Sequence, residues 1–275
     1  MLILLPPSEG KAVPTRGRAV DLTTLGFPAL LPAREQVLDA LVALCSDDEA
    51  RAARTLGLGP TQSQDVRRNA GLRTAPTARA DAIYTGVLYD HLDLATLDPA
   101  ARRRATRRVA ITSALLGLVG PADRIPSYRL SGDVTLPGLG PGLGPGLGLG
   151  LGSGGGTVAA HWRGALDTTV REALGPGLLV DLRSSTYAAF WRPSPDLAPR
   201  VATVRVLQQV GAERKVVSHF NKATKGRLVR ALLTAGATPR TPAALAEVIA
   251  DLGWTVELGA PGRTGQQLDV VVEDV

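Results

Sequence analysis

Short apolar runs of about five residues alternate along this chain with stretches of helical periodicity, and no linker divides the alternation into two balanced halves. That pattern confines the chain to one class of solution. A run such as Met1–Leu5 has no polar face, so both of its faces must be covered, as happens to strands inside an α/β sheet. The expected fold is therefore α/β (mixed α+β). It is a single domain over 1–275, with a mixed central sheet flanked by helices.

The segments follow in order. Met1–Leu5 reads as a first strand ended by Pro6-Pro7, too short and without basic flanks for a signal peptide. Val37, Leu38, Leu41, Val42 and Cys45 recur at helical spacing within Arg34–Cys45. Ser46-Asp-Asp-Glu49 is a capping-box pattern for the next helix, and a further helix follows from Thr61 to about Asn69. A helix from Pro99 carries five arginines up to Arg108 and gives way to the apolar run Val109–Leu118. Residues 137–156 are nearly pure Gly, Pro and Leu and read as a flexible insertion. Val158–Leu174 is helical, and Leu178–Leu182 is a buried-strand candidate. Arg200–Val210 and Arg214–Ser218 read as strands, Asn221–Leu233 as a basic helix. Thr241-Pro242 caps a helix that Gly253 ends, and Trp254–Leu258 and Gln267–Val272 close as strands.

Several function classes fall away. No run of about 20 apolar residues could cross a membrane. One cysteine, Cys45, permits no intrachain disulfide, which fits the cytoplasm. His91, His161 and His219 lie far apart without metal-ligand spacing, so no structural metal or cofactor is expected. Ser185 lacks a nucleophile elbow, and neither a Walker loop nor a dinucleotide fingerprint occurs. The net charge of +6 permits nucleic-acid or phosphate partners without requiring them. Only four of the 31 Lys and Arg residues are Lys.

Polar clusters follow the expected strands, where α/β proteins bind ligands. The candidates are Ser8, Glu9 and Lys11; Tyr84 and Thr85; Tyr128 and Arg129; Ser184, Ser185 and Tyr187; and Lys222, Lys225 and Arg227 at the start of the basic helix. They are expected to converge on one strand-end pocket suited to a small anionic or nucleotide ligand. Separately, Gly57-Leu58-Gly59 lies between two helices, followed by polar residues and Val66. That is a helix-hairpin-helix pattern within the helical subregion 21–70. Its glycines would let a phosphate approach, and Arg54, Arg67 and Arg68 would add attraction to duplex DNA.

Taken in this order and spacing, Leu2–Lys11, Tyr84-Thr85-Gly86, Gly117–Leu130, Ser184–Tyr187 and Lys222–Arg227 resemble the YaaA-like peroxide-stress family over nearly the whole chain. Ser127 stands where a Pro is common in that family, and 137–156 replaces a charged connector. The resemblance implies a cytosolic stress protein that limits peroxide damage, is associated with control of free iron, and binds DNA nonspecifically through a helix-hairpin-helix. The residues by themselves also leave open an enzyme acting on a phosphorylated or nucleotide-like molecule.

Overall fold

The computed structural model describes residues 1–139, 156–210, 213–215 and 218–273, with the side chains of 210, 213–215, 218–220 and 273 left aside. In chain order the strands are β1 (Leu2–Leu5), β2 (Thr77–Arg79), β3 (Val109–Ser113), β4 (Gly117–Val119), β5 (Arg124–Pro126), β6 (Thr135–Leu136), β7 (Gly156–Thr157), β8 (Leu179–Asp181), β9 (Val201–Val210), β10 (Glu213–Lys215), β11 (Thr255–Gly262) and β12 (Gly265–Glu273). The helices are α1 (Leu31–Asp47), α2 (Glu49–Thr55), α3 (Ser63–Ala70), α4 (Ala80–Ile83), α5 (Val87–Leu92), α6 (Pro99–Arg108), α7 (Val158–Leu174), α8 (Ser185–Ala188), α9 (Ser218–Ala235) and α10 (Pro242–Asp251).

The main sheet runs β11-β12-β9-β8-β1-β3-β4, with β10 paired to β9. Pairings are parallel from β3 through β1, β8 and β9 to β12, and antiparallel at β3–β4, β11–β12 and β9–β10. The mixed α/β class is as the alternation requires. Leu2, Ile3, Leu4 and Leu5 are all buried, because β1 has a strand on each side and both of its faces are covered. From β1 the chain first builds outward to β3 and then returns to place β8 on the other flank. The order therefore reverses beside β1, and the loops after β1 and β8 border the resulting crevice, the usual ligand position in such sheets.

The apolar run Val109–Leu118 is not one strand. It turns at residues 114–116 and pairs with itself as the β3–β4 hairpin. A fully buried Arg34 from α1 holds the turn, donating to the carbonyls of Leu116 at 3.0 Å and Leu118 at 2.7 Å. The Asp123 carboxylate accepts from Gly120 N at 2.8 Å and Gly26 N at 3.1 Å. Asp123 thus serves the architecture.

The α2 cap also differs from the capping-box reading. Ser46 remains inside α1, and Asp48 caps α2 by accepting from Ala50 N at 2.8 Å and Arg51 N at 3.0 Å. Three of the five α6 arginines do more than face water, Arg102 donating to Ala95 O. Arg104 donates to Leu233 O at 2.6 Å and Thr234 O at 3.0 Å, and Arg108 to Ala237 O at 2.9 Å. They satisfy carbonyls at the negative end of α9. Gly226 is where α9 crosses α5: a Cβ there would lie 2.3 Å from Leu88 O. The ends of the Gly/Pro/Leu-rich stretch are held by the β6–β7 pair and buried Leu136 and Leu139; residues 140–155 lie outside the described residues.

Candidate functional site

The loop after β1 turns back to form an isolated antiparallel bridge between Lys11 and Tyr84. Ser8 stabilises that turn. Its hydroxyl donates to Gly10 O at 2.5 Å and accepts from Thr85 N at 3.1 Å. The Lys11 ammonium, half-buried, donates to Ser8 O at 2.9 Å. It lies 4.5 Å from the ring centroid of Tyr128 and 5.7 Å from that of Tyr84, close enough for attraction to the ring faces. Burial pushes the Lys11 amine down to about 8; Glu9 and Asp65 oppose the shift and Arg129 adds to it. Loss of water around a compact ammonium outweighs the attraction of its acidic neighbours.

The two rings belong to a buried hydroxyl chain. Tyr84 and Tyr128 share a hydrogen bond of 3.0 Å, and Tyr128 also bonds Ser113 Oγ at 2.8 Å. Ser113, at the carboxyl end of β3, accepts from Leu116 N at 3.0 Å. Tyr89 stacks on Tyr84 with centroids 5.5 Å apart and donates to Pro6 O at 2.7 Å. Burial raises the pKa of all three phenols. They remain neutral hydrogen-bonding groups at physiological pH.

Arg129 sits at the rim. Its guanidinium meets the Glu9 carboxylate at 3.1 Å. Its backbone is fixed from α3: Arg129 N donates to Asn69 Oδ1 at 2.9 Å, and Asn69 Nδ2 donates to Arg129 O at 2.7 Å. Asn69 is fully buried. Tyr187 is buried, and its phenol is pushed up by burial first and then by Tyr128 and Glu9.

On the other border of the crevice, Asp181 and Arg183 form a buried pair at 2.9 and 2.7 Å. Arg183 also donates to Tyr187 O at 3.2 Å and Trp191 O at 3.0 Å, which fixes the turn after β8. Lys225 from α9 donates to Leu182 O at 3.0 Å, and burial lowers its pKa while Asp181 opposes the shift. Ser184, Ser185, Lys222 and Arg227 are exposed.

The structure therefore gathers Ser8, Glu9, Lys11, Tyr84, Thr85, Tyr128, Arg129 and Tyr187, with Lys225 beside the adjacent strand end. It leaves Ser184, Ser185, Lys222 and Arg227 on the surface around them. Two of the expected positions arise differently. Tyr84 follows the short helix α4, and Arg129 follows β5 of the small β2–β5 pair. Asn69, Ser113 and the Asp181–Arg183 pair were not singled out from the sequence. The Asp-x-Arg spacing after an apolar run is a usable signal, whereas Asn69 reaches Arg129 across 60 residues and has none. His219 has its side chain outside those described; His161 is structural, bonding Ala33 O at 3.0 Å. A groove of about 370 Å³ near Pro195, Thr241 and Arg263 lies apart from this group.

The α2–α3 hairpin adjoins the site through Asn69 of α3. Gly57 adopts φ 65, a left-handed conformation that favours glycine. Gly59 has φ −75, open to other residues, and its N–H donates to Gln62 Oε1 at 3.0 Å. Leu58 is half-buried, and Leu58 N closes the turn onto Ala53 O at 2.8 Å. Arg54 is exposed. Arg67 pairs with Glu49 at 3.3 Å, and Arg68 pairs with Asp65. Both hairpin arginines thus carry a local counter-charge.

Comparison with known proteins agrees with this architecture along the chain. The family model for peroxide stress protein YaaA matches residues 1–258. A UPF0246 protein of Streptomyces coelicolor is 50% identical over the whole of both chains. Another from Corynebacterium efficiens is 41% identical over 94% of this chain and 95% of its own. A third, from Ruegeria, is 29% identical over 86% of this chain and 88% of its own. With a family model spanning nearly its full length and relatives matched end to end, the chain belongs to the peroxide stress protein YaaA family.

Proposed function

We propose that this protein acts in the cytoplasm by binding duplex DNA without sequence preference, limiting the damage that peroxide and free iron do to it. The observation that carries this reading is the linkage between hairpin and crevice. The Gly57-Leu58-Gly59 loop, with Gly57 exposed, leads through a 3-10 turn into α3, and Asn69 of that helix fixes the backbone of Arg129 at the rim beside Lys11. A phosphate approaching the loop would meet the N-terminal end of a helix. The next phosphates would run toward Arg129, Lys11 and Lys225. The arginines Arg54, Arg67 and Arg68 add attraction once a phosphate competes for those that are ion-paired on the surface. The exposed Arg67–Glu49 pair is worth little and exchanges readily, the half-buried Arg68–Asp65 pair less so.

The test is duplex binding against salt. Log K should fall with log salt at a slope near −0.9 per phosphate contacted. Replacing Gly57 and Gly59 by Ala together with Arg67 and Arg68 by Glu should abolish binding while the fold survives. Unchanged affinity in that folded variant removes the hairpin from the account.

A second reading rests on Lys11 itself. An amine held between two phenol rings and a backbone carbonyl is more enclosed than a backbone phosphate requires. It suits a phosphorylated or nucleotide-like small molecule, and hence an enzyme. Native mass spectrometry of freshly purified protein distinguishes the two. A stoichiometric small anion released on unfolding favours the second, and length-dependent duplex affinity favours the first.

A further inference from the structure

We infer that Lys11 forms a reversible Schiff base with the ring-opened sugar aldehyde of an abasic site in duplex DNA. The inference rests on the duplex-binding reading and adds a substrate and a covalent step to it. Its starting point is residue choice. Twenty-seven of the 31 basic residues are Arg, so a requirement for positive charge alone is met in this chain by guanidinium. A guanidinium does not give up its proton, whereas an amine does and then attacks carbonyl carbon.

Burial, not its immediate partners, disfavours the charged form of Lys11. Its hydrogen-bond partner is the Ser8 carbonyl, and its other close neighbours are two phenol rings. The nearby carboxylates are engaged elsewhere, Glu9 by Arg129 and Asp65 by Arg68. Burial outweighs what those carboxylates still do to hold the proton, and brings the amine down to about 8. Of the other amines with a lowered pKa, Lys225 faces Asp181 and donates to Leu182 O beside the β8 strand end and Met1 lies at the opposite end of β1, while Lys222 is exposed.

Position supplies the substrate. Asp65, which acts on the Lys11 charge, is the third residue of α3. Six steps separate it from Gly59, three through the 3-10 turn Pro60–Gln62 and three in α3, about 10 Å at roughly 2.0 and 1.5 Å per residue. At 3.4 Å per base step, a sugar two or three steps from a phosphate on the hairpin reaches the amine. An abasic sugar brings no base, so it can approach the half-buried Lys11 amine from the Arg129 rim without a base to accommodate. Arg129 stands at the rim for its flanking phosphate. In the reaction Nζ adds to the C1′ carbonyl carbon to give a carbinolamine. The two amine protons and the carbonyl oxygen then leave as one water, and a C=N bond remains. No oxidant or reductant is needed, and re-addition of water restores lysine and aldehyde.

The experiment incubates the full-length protein with an end-labelled duplex carrying one abasic site, with sodium cyanoborohydride present to reduce any imine. A covalent adduct should appear on a denaturing gel for the abasic duplex and not for the intact one. Its yield should rise between about pH 7 and pH 9, and peptide mapping should place the reduced sugar on Lys11. In Lys11→Arg the adduct should fall at least tenfold. An adduct that persists in Lys11→Arg, or that maps to Lys215, Lys222, Lys225 or Met1, overturns the inference. The mapping uses wild-type protein, so it decides the matter even where the variant folds poorly. Affinity for intact duplex is measured on the same samples. Protein that binds intact duplex and yields no adduct refutes the Schiff base alone, and protein that does neither refutes the duplex reading as well.

Discussion

Replacing Arg183 by Met tests whether the turn after β8 is held by charge. The Arg183 side chain is 1% exposed and that of Asp181 is 8% exposed. Their contacts, at 2.9 and 2.7 Å, are supplemented by donation from Arg183 to two carbonyls. Methionine fills much of the same volume with no donor, so the loss falls mainly on the Asp181 carboxylate left uncompensated. Breaking one side of a buried pair costs about 3–5 kcal/mol. Lys225 is near enough for Asp181 to act on its charge, which offsets part of the loss and favours the lower end, about 3 kcal/mol. For a chain of this size that is a fall in Tm of about 6–12 °C, at 2–4 °C per kcal/mol. The assay is urea unfolding followed by tryptophan fluorescence, with Trp191 reporting locally because Arg183 lies 5.7 Å from its ring centroid. Pairing Arg183→Met with Asp181→Leu should cost less than Arg183→Met alone, because no charge is then stranded. A single variant within 1 kcal/mol of wild type, or a double variant less stable than the single, would refute the argument.

Three further outcomes are expected. The folded pKa of Lys11 is below its ordinary value of 10.5, so the unfolded chain binds more protons between about pH 8 and 10.5 and stability should rise across that window. Lys11→Met should flatten the rise in a pH series of urea midpoints, and an unchanged slope would mean the amine titrates normally. Gly226→Ala should cost about 1–3 kcal/mol in the same unfolding assay, since its Cβ would lie 2.3 Å from Leu88 O and 3.0 Å from Leu92 N at the α5–α9 crossing; wild-type stability would show that the helices can part freely. Burial raises the pKa of the Cys45 thiol, with a hydrogen bond from Asn69 opposing, and only the thiolate reacts. Native protein should therefore react with a disulfide reagent or peroxide far more slowly than urea-unfolded protein, and equal rates would remove the protection inferred from the fold.

Much of the fold was legible because it depends on local pattern. Leu2–Leu5 has no polar face and could only be an interior strand. Val158–Leu174 repeats its apolar residues at helical spacing and forms α7 over that same range. Thr241 and Pro242 are suited to a helix start, and Thr241 Oγ1 accepts from Ala244 N at 3.2 Å. The helix at 34–45 extends back to Leu31, because Pro32 lies in the first turn where its missing N–H is no loss. Where chemistry and sequence separation coincided, the site was legible too: Ser8 through Lys11 and Tyr128-Arg129 lie in loops, and loops can be drawn together.

The tertiary structure decided the rest, through contacts between residues far apart in sequence. Nothing local marks Val109–Leu118 for a turn; the buried guanidinium of Arg34 fixes it from more than 80 residues away. No spacing rule separates Lys225, turned inward to Leu182 O, from Lys222 three residues earlier and exposed. That choice is made by the crossing of α9 on α5, which Gly226 permits. The sequence could also show that Lys11 is a lysine among arginines, but its charge state follows from how much water its neighbours exclude. Those neighbours, Tyr84 and Tyr128, come from separate loops that meet only when β1 and β3 lie side by side. Local periodicity is enough to specify strands and helices, whereas the reactivity of a side chain depends on the solvent and charge that the assembled fold leaves around it.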